Sequence, residues 1–480
     1  MKVLVTGATG YVGGRLVPRL LEAGHSVRVL VRDPARVQGR PWSNQVEIAV
    51  GDLLRRESLE PAMEGIEAAY YLVHSMLAGT DFERRDREAA QNYVSAAPHV
   101  GKTIYLGGLV PPSRMISRHL QSRAEVGKIL LSSLPATEFR AGPIIGSGST
   151  SFEMLRYLTE RLPVMITPKW VLNEVQPIAI RDVLAYLLAA LSVPASGSVE
   201  IGADRLTFKR MMEIFAEERG LHRRIIPVPL LAPRLAARWV GWVTPIPNTM
   251  AIPIIEGITH SVLAETDQAE RLFPAIRPIS FRTAVRAALE SARQFLTETH
   301  WSDALHIQGK WAKLKEEEGM IREIRTIHVD APPETVFHEF LSLGGDRGWL
   351  RWKWAWKIRG AIDRMLGGPG LRRGRRNPVD AYPGESIDFW RVEAVEAPHL
   401  LRLHAEMKVP GSAWIEWETR SENSGSRLVQ TAFFSPKGLG GFLYWYALYP
   451  IHALIFGSLV RAIAREATRA AVTRSAQCEK

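Results

Sequence analysis

Three glycines, Gly7, Gly10 and Gly13, follow the apolar run Val3-Leu4-Val5 with two residues between each pair. A buried strand that turns straight into a helix uses this spacing. One glycine allows the tight turn, one lets backbone approach a pyrophosphate, and one lets the helix pack on the strand. Leu16, Val17, Leu20 and Leu21 supply that helix with an apolar side. Its free N–H groups and dipole then face phosphate oxygens. Thr6, Gly7, Thr9, Gly10, Tyr11, Val12 and Gly13 are therefore expected to cradle a dinucleotide.

The residue after the second strand selects the cofactor. An NAD site places an acid there to bond the ribose 2′-hydroxyl. Val31 stands in that place and Arg32 follows, and an arginine can pair with a 2′-phosphate. The expectation is NADP, with NAD kept open by Asp33 one or two positions late. After the third strand, Asp52 and Leu53 suit the adenine; a helix N-cap before residues 57–64 is the other reading of Asp52.

These positions need a scaffold. Apolar runs at 27–31, 46–50, 68–73 and 103–106 alternate with helical segments such as 87–97. That order implies an α/β fold with a doubly wound parallel sheet, whose ligands bind beyond the carboxyl ends of the strands. The hydrophobic fraction of 46% across 480 residues is ample for more than one core. Cys478 is the only cysteine, so neither a disulfide framework nor a cysteine metal site is expected, and no metal is assigned. The chain opens on a strand rather than a signal peptide, and the expected location is cytoplasmic. Arginine dominates the 61 basic residues and the net charge is +11, which favours anionic ligands or anionic membrane surfaces.

The glycine motif, Arg32, Gly51-Asp52-Leu53 and the strand order resemble an atypical or extended short-chain dehydrogenase/reductase of the NmrA-like type, over roughly residues 1–300. Arg140–Gly146 and Pro177–Val183 resemble the substrate-side loop and the short strand and helix start of the extended members. The resemblance implies a Rossmann sheet, a nicotinamide cofactor and hydride transfer. It also implies a Ser after the fifth strand and a Tyr-x-x-x-Lys pair, and here the chain departs. Gly107-Gly108 stand in place of the Ser, His119 in place of the Tyr and Arg123 in place of the Lys. His119 as acid with Arg123 as cofactor clamp, or His74 at the end of the fourth strand as acid, are the catalytic candidates; His74 is counted with the cofactor residues too. Reduction of a conjugated double bond needs no strong acid, because water can protonate the enolate. The expected activity is therefore NADP-dependent reduction of a hydrophobic carbonyl, enone or quinone. The alternative is a non-catalytic nucleotide sensor or lipid-binding module.

Residues 163–168 read as an apolar loop, and 225–255 as a proline-rich apolar stretch with a short helix at 235–243, suited to a greasy cleft or to plain core. A helix is expected at 281–298. The composition shifts near residue 306. The charged run 310–318 reads as solvated helix or linker, giving domains at 1–305 and 322–480 with a linker at 306–321. From Arg322 a strand, a helix entered through Pro332-Pro333, four strands and a long helix follow. This α+β order, with its antiparallel sheet, resembles the START-like helix-grip domains, which commonly enclose an apolar ligand.

The loop containing residues 372–376 carries four arginines in five residues, and 438–460 has no charged side chain. Residues 438–460 read first as the core helix that a helix-grip fold needs, then as peripheral membrane contact, then as a span; the arginine loop suits a phosphate, a carboxylate or an anionic lipid head group. A small hydrophobic substrate or lipid is the expected partner, and nucleic acid is not.

Overall fold

The computed structural model describes the chain except for residues 39, 76–80, 112–116, 230–239, 241–242, 247, 294–298, 300–313, 346, 351–352, 366–379, 423–424 and 479–480. The expected helix at 235–243 falls largely there, and the arginine loop 372–376 lies outside the described residues entirely. The chain divides into two compact units, Met1–Gln308 and Gly309–Lys480.

The first unit is built on a parallel sheet of seven strands: β1 (Lys2–Thr6), β2 (Ser26–Val31), β3 (Glu47–Val50), β4 (Ala68–Tyr71), β5 (Lys102–Gly108), β6 (Ala136–Ala141) and β7 (Gly197–Ile201). Their order is β7-β6-β5-β4-β1-β2-β3. The central strand β1 is apolar on both faces because helices cover both, and Val3, Leu4 and Val5 are fully buried. Leu16, Val17 and Leu20 of α1 (Gly13–Glu22) pack against Val3 and Val5. On the other face Leu4 joins Tyr93 of α2 (Phe82–Ala96) and Leu130 of α3 (Arg118–Ser133) in a second core.

Beyond the sheet, α4 (Thr150–Arg161), α5 (Ile180–Ala189), α6 (Phe208–Arg219), α7 (Asn248–Gly257) and α8 (Phe281–Arg293) complete the unit. Phe152, Phe215, Ala251 and Phe281 share a third core there. Residues 163–168, expected as loop, instead contain the strand Val164–Pro168, paired in parallel with Arg224–Val228. Local composition hides this pair because its partner lies sixty residues away.

The second unit holds an antiparallel sheet formed by β8 (Leu314–Glu317), β9 (Met320–Val329), β10 (Ser386–Ile387), β11 (Trp390–Glu396), β12 (Leu400–Ala405), β13 (Gly411–Glu422) and β14 (Gly425–Pro436). Their order is β8-β9-β14-β13-β12-β11-β10. The charged run expected as solvated helix or linker is thus in part an edge strand, Glu316 opposite Ile321. Charged side chains suit an exposed sheet edge.

Three helices accompany this sheet: α9 (Pro333–Leu341), α10 (Lys353–Met365) and the 41-residue α11 (Gly438–Cys478). Phe340 of α9 stacks on Trp417 of β13 at 6.3 Å, and Trp445 of α11 stacks on Phe434 of β14 at 5.1 Å. Trp417 Nε1 donates to Gln430 Oε1 at 3.0 Å, and Gln430 Nε2 donates to the Phe456 carbonyl of α11 at 3.2 Å. Residues 438–460 are therefore one half of a longer helix that is long and apolar enough to cross a membrane, yet has one side packed on the sheet.

Candidate active site

Residues at the carboxyl ends of β1, β2, β4 and β5 line one cleft of about 760 Å³, within the usual range for small-molecule sites. All of the expected nucleotide residues line it: Thr6, Gly7, Thr9, Gly10, Tyr11, Val12, Gly13, Arg32, Asp52, Leu53 and His74. The glycines divide the work. Gly7 has φ +76°, and a Cβ there would lie 2.6 Å from the Leu72 carbonyl oxygen. A Cβ on Gly13 would overlap the Gly7 carbonyl, so turn and helix could not close. Gly10 meets only the Gly7 oxygen, at 3.3 Å, and leaves bare backbone at the cleft. This cradle at the start of α1 fits a dinucleotide pyrophosphate.

The loop between β1 and α1 is held from behind. Arg15 lies 4.5 Å over the Tyr11 ring and donates to the Ser147 carbonyl and to Thr299 Oγ1, each at 2.8 Å. Thr299 Oγ1 donates in turn to the Tyr11 carbonyl at 2.7 Å. Thr6 lines the cleft, but its hydroxyl is already engaged. It is fully buried, donates to the Tyr70 carbonyl at 3.0 Å and accepts from Leu72 N at 3.2 Å. Its hydroxyl clasps β1 to β4 and does not reach for a ligand.

At the end of β2, Arg32 is exposed and faces the cleft, and Arg36 lines the same wall. Asp33 is not part of that wall. Its Oδ1 accepts from Ala35 N at 3.0 Å, capping the turn Pro34–Arg36. Sequence reading missed Arg36, although a residue four beyond Arg32 after a capping Asp is a legible signal. Asp52 does not cap a long helix: Oδ1 accepts from Leu54 N at 3.1 Å, closing a turn beside the cleft.

His74, His119 and Arg123 come together. All three line the cleft, and the Arg123 charge acts on both imidazoles. Ser117 caps α3, which places His119 in its first turn and Arg123 one turn later. Arg123 Nη1 donates to the Leu106 carbonyl of β5 at 2.8 Å. Asp86 braces the cluster by accepting from Ser75 N at 2.6 Å and from Ser122 Oγ at 2.9 Å.

The surroundings of the two histidines bear on their expected acid role. Burial first, and then Arg123, pull the His74 pKa down to about 3. His74 is nonetheless exposed and lines the cleft, so the direction of the shift stands better than its size. Burial, Arg123 and His74 likewise hold His119 well below the ordinary histidine range. Both are neutral near pH 7, so neither is a resting imidazolium.

The opposite wall is apolar. Met250, Pro253, Ile254 and Gly257 of α7 line it with Ile258 and Val262. Pro253 belongs to the prolines that mark 225–255 as a candidate greasy surface; the other wall residues carry no such signal on their own. Met250 and Ile258 are also members of the third core, so cleft wall and core readings both hold. Among the described residues no group of three or more His, Cys, Asp or Glu is arranged to hold a metal.

Residues 7–106 match the model of an NAD(P)H-binding family, and residues 320–459 match that of a family of unknown function, DUF2867. A ceramide reductase of Caulobacter vibrioides is 30% identical over 235 residues, 47% of this chain and 73% of that protein. Sterol demethylase protein B of Methylococcus capsulatus is 45% identical over 74 residues, 15% of this chain and 21% of that protein. Among solved structures, a nucleoside-diphosphate-sugar epimerase of Staphylococcus aureus has a TM-score of 0.50 at 16% identity, over 60% of this chain and 100% of that one; the likeness is one of fold.

Proposed function

The chain belongs to the atypical short-chain dehydrogenase/reductases, the NmrA-like branch, through its first unit, and from that premise we propose an NADPH-dependent reductase of an apolar carbonyl, enone or quinone. The observation that carries the reading is a single cleft joining the glycine cradle and two arginines to the apolar wall of α7. NADPH supplies a hydride when bound. Gly10 and the start of α1 would hold its pyrophosphate, and Arg32 with Arg36 would hold its 2′-phosphate. Arg32 and Arg36 line the cleft whereas Asp33 does not and caps its own turn, which supports NADP over NAD. A relative named for ceramide supports an apolar substrate.

The residues present set the chemistry. A neutral imidazole and a fixed guanidinium do not hand over a proton readily, but they stabilise negative charge that develops on a carbonyl oxygen. Met250, Pro253 and Ile254 exclude water from one side and orient the apolar part of the substrate. On a conjugated double bond the group left negative would be an enolate, which Arg123 and an imidazole N–H would stabilise and solvent would protonate. Ordinary alcohol–ketone exchange, which needs the missing Tyr-Lys pair, is disfavoured. The second unit is proposed to be a helix-grip domain, supported by its antiparallel sheet with α9 and α11 packed on it.

The neutral histidines also favour a second reading, an NADPH-responsive binding module without turnover. Titration with NADPH, then NADPH consumption over a panel of quinones and enals, separates the two. The reductase reading expects saturable binding and consumption with at least one apolar acceptor; tight binding with no consumption across the panel leaves the binding module.

A further inference from the structure

The buried side of α11 carries Phe442, Trp445, Phe456 and Leu459. Its other side carries a patterned row of exposed residues. Leu439, Leu443, Ala447, Pro450, Ile451 and Leu454 are all exposed. At a helical turn of 3.6 residues they fall on one face. The stripe has no charge, and Leu443 and Leu454 are 63% and 62% exposed. Continued toward the C-terminus, the same face turns basic: Arg461, Arg465 and Arg469 are exposed at the positions that carry the stripe forward. Lys437 stands exposed just before the helix. Of the nearby acids, Glu466 pairs with Arg469 at 3.1 Å, and Glu316 accepts from Tyr446 at the edge of the stripe at 3.4 Å.

A second exposed apolar row lies on α10. Ile358, Ile362 and Met365 are exposed at i, i+4 and i+7 on α10. Arg359 Nη2 donates to the Lys408 carbonyl at 3.2 Å, and Lys408 N donates to Asp363 Oδ1 at 2.6 Å. Gly441 of α11 closes on the Pro410 carbonyl of the same turn. Each helix therefore touches the segment 408–410, and the acid of α10 is buried while Arg364 is exposed.

We propose that this face of α11, extended by α10, docks on the surface of an anionic phospholipid bilayer. The apolar stripe enters the acyl boundary, and Arg461, Arg465 and Arg469 contact the phosphates. Charge complementarity selects this occupant over a neutral apolar partner. The helix lies along the surface and does not cross, because crossing would strip Trp445 from Phe434 and Phe456 from Gln430.

The test is flotation of the full-length protein with vesicles of phosphatidylcholine alone or of three parts phosphatidylcholine to one part phosphatidylglycerol. The expected result is at least about tenfold stronger partition onto the mixed vesicles, reversed by high salt. The double variant Leu443→Glu/Leu454→Glu should abolish it. The milder pair Leu443→Ser/Leu454→Ser should weaken it, and Arg461→Glu/Arg465→Glu should remove the dependence on phosphatidylglycerol. All should melt as the parent does, since the side chains are exposed. No flotation, or equal flotation of parent and variants, overturns the proposal. So does a concentration-dependent dimer, dissolved by Leu443→Glu/Leu454→Glu, in a protein that ignores both vesicles. None of these readouts involves NADPH.

Discussion

Arg123 of α3 donates through Nη1 to the carbonyl of Leu106 on β5, 2.8 Å away. The bond fixes a guanidinium at the carboxyl end of the sheet, beside His74 and His119, where a reductase of this family would keep a lysine. Removing it should cost rate more than fold. Arg123→Ala is expected to lower kcat/KM for NADPH consumption by roughly ten- to a hundredfold, about 1.4–2.8 kcal/mol of barrier. Arg123→Lys should recover part of kcat. Steady-state kinetics with melting curves check this; unchanged kcat in Arg123→Ala would remove Arg123 from the chemistry.

Cofactor choice rests on the second strand. Arg32→Ala should weaken NADPH binding by about tenfold or more and leave NADH binding nearly unchanged, as the loss of one charge-assisted pair predicts. Arg36→Ala should act in the same direction. Fluorescence titration with both nucleotides measures it, and equal losses for the two would contradict the assignment.

Gly10 and Gly13 should fail differently. A Cβ on Gly13 overlaps the Gly7 carbonyl, whereas one on Gly10 touches the same oxygen only at 3.3 Å. Gly13→Ala is expected to destabilise the fold by about 1–3 kcal/mol. Gly10→Ala should melt close to the parent and yet bind NADPH weakly, because its methyl group occupies the phosphate approach. Melting and titration of both variants separate the roles.

Burial and Arg123 hold the His74 and His119 pKa values below the free value of about 6.5. Below that pH the unfolded chain therefore binds more protons than the folded one. Stability should fall as pH drops from about 6.5 toward the folded-state values, about 3 for His74, and these groups add no slope above about pH 7. His74→Asn/His119→Asn should flatten the acid side of the melting profile. Turnover should show no histidine break between about pH 6 and 8. A break near 6.5 that vanishes in His119→Asn would make the imidazolium the proton donor.

The parts of this fold that depend on near neighbours were legible. Val3–Gly13 and the strand–helix alternation follow from spacing, and the family resemblance singles out His119 and Arg123 one helix turn apart. The strand Val164–Pro168 was not, because its partner Arg224–Val228 is remote and both contain proline. The edge strand Leu314–Glu317 was hidden by its charges, which suit a solvated helix equally well. Thr6 looked like a ligand residue, and only the placement of β4 shows that its hydroxyl is already used. The charge state of the histidines was out of reach in principle, since desolvation belongs to the assembled cleft. The α7 wall was half visible: composition marked 225–255 as apolar, but only the packing shows that Met250, Pro253 and Ile254 face the cradle's own cleft.

The central claim is that the apolar wall and the nucleotide cradle serve one reaction. It is tested most directly by kcat/KM for NADPH consumption across straight-chain enals of increasing length. The account predicts a rise of up to about fourfold per added CH₂, from about 0.8 kcal/mol of burial each, ending when the cleft is full and much reduced in Ile254→Asn. A rate that is absent at every length, or that does not change with length, would contradict it.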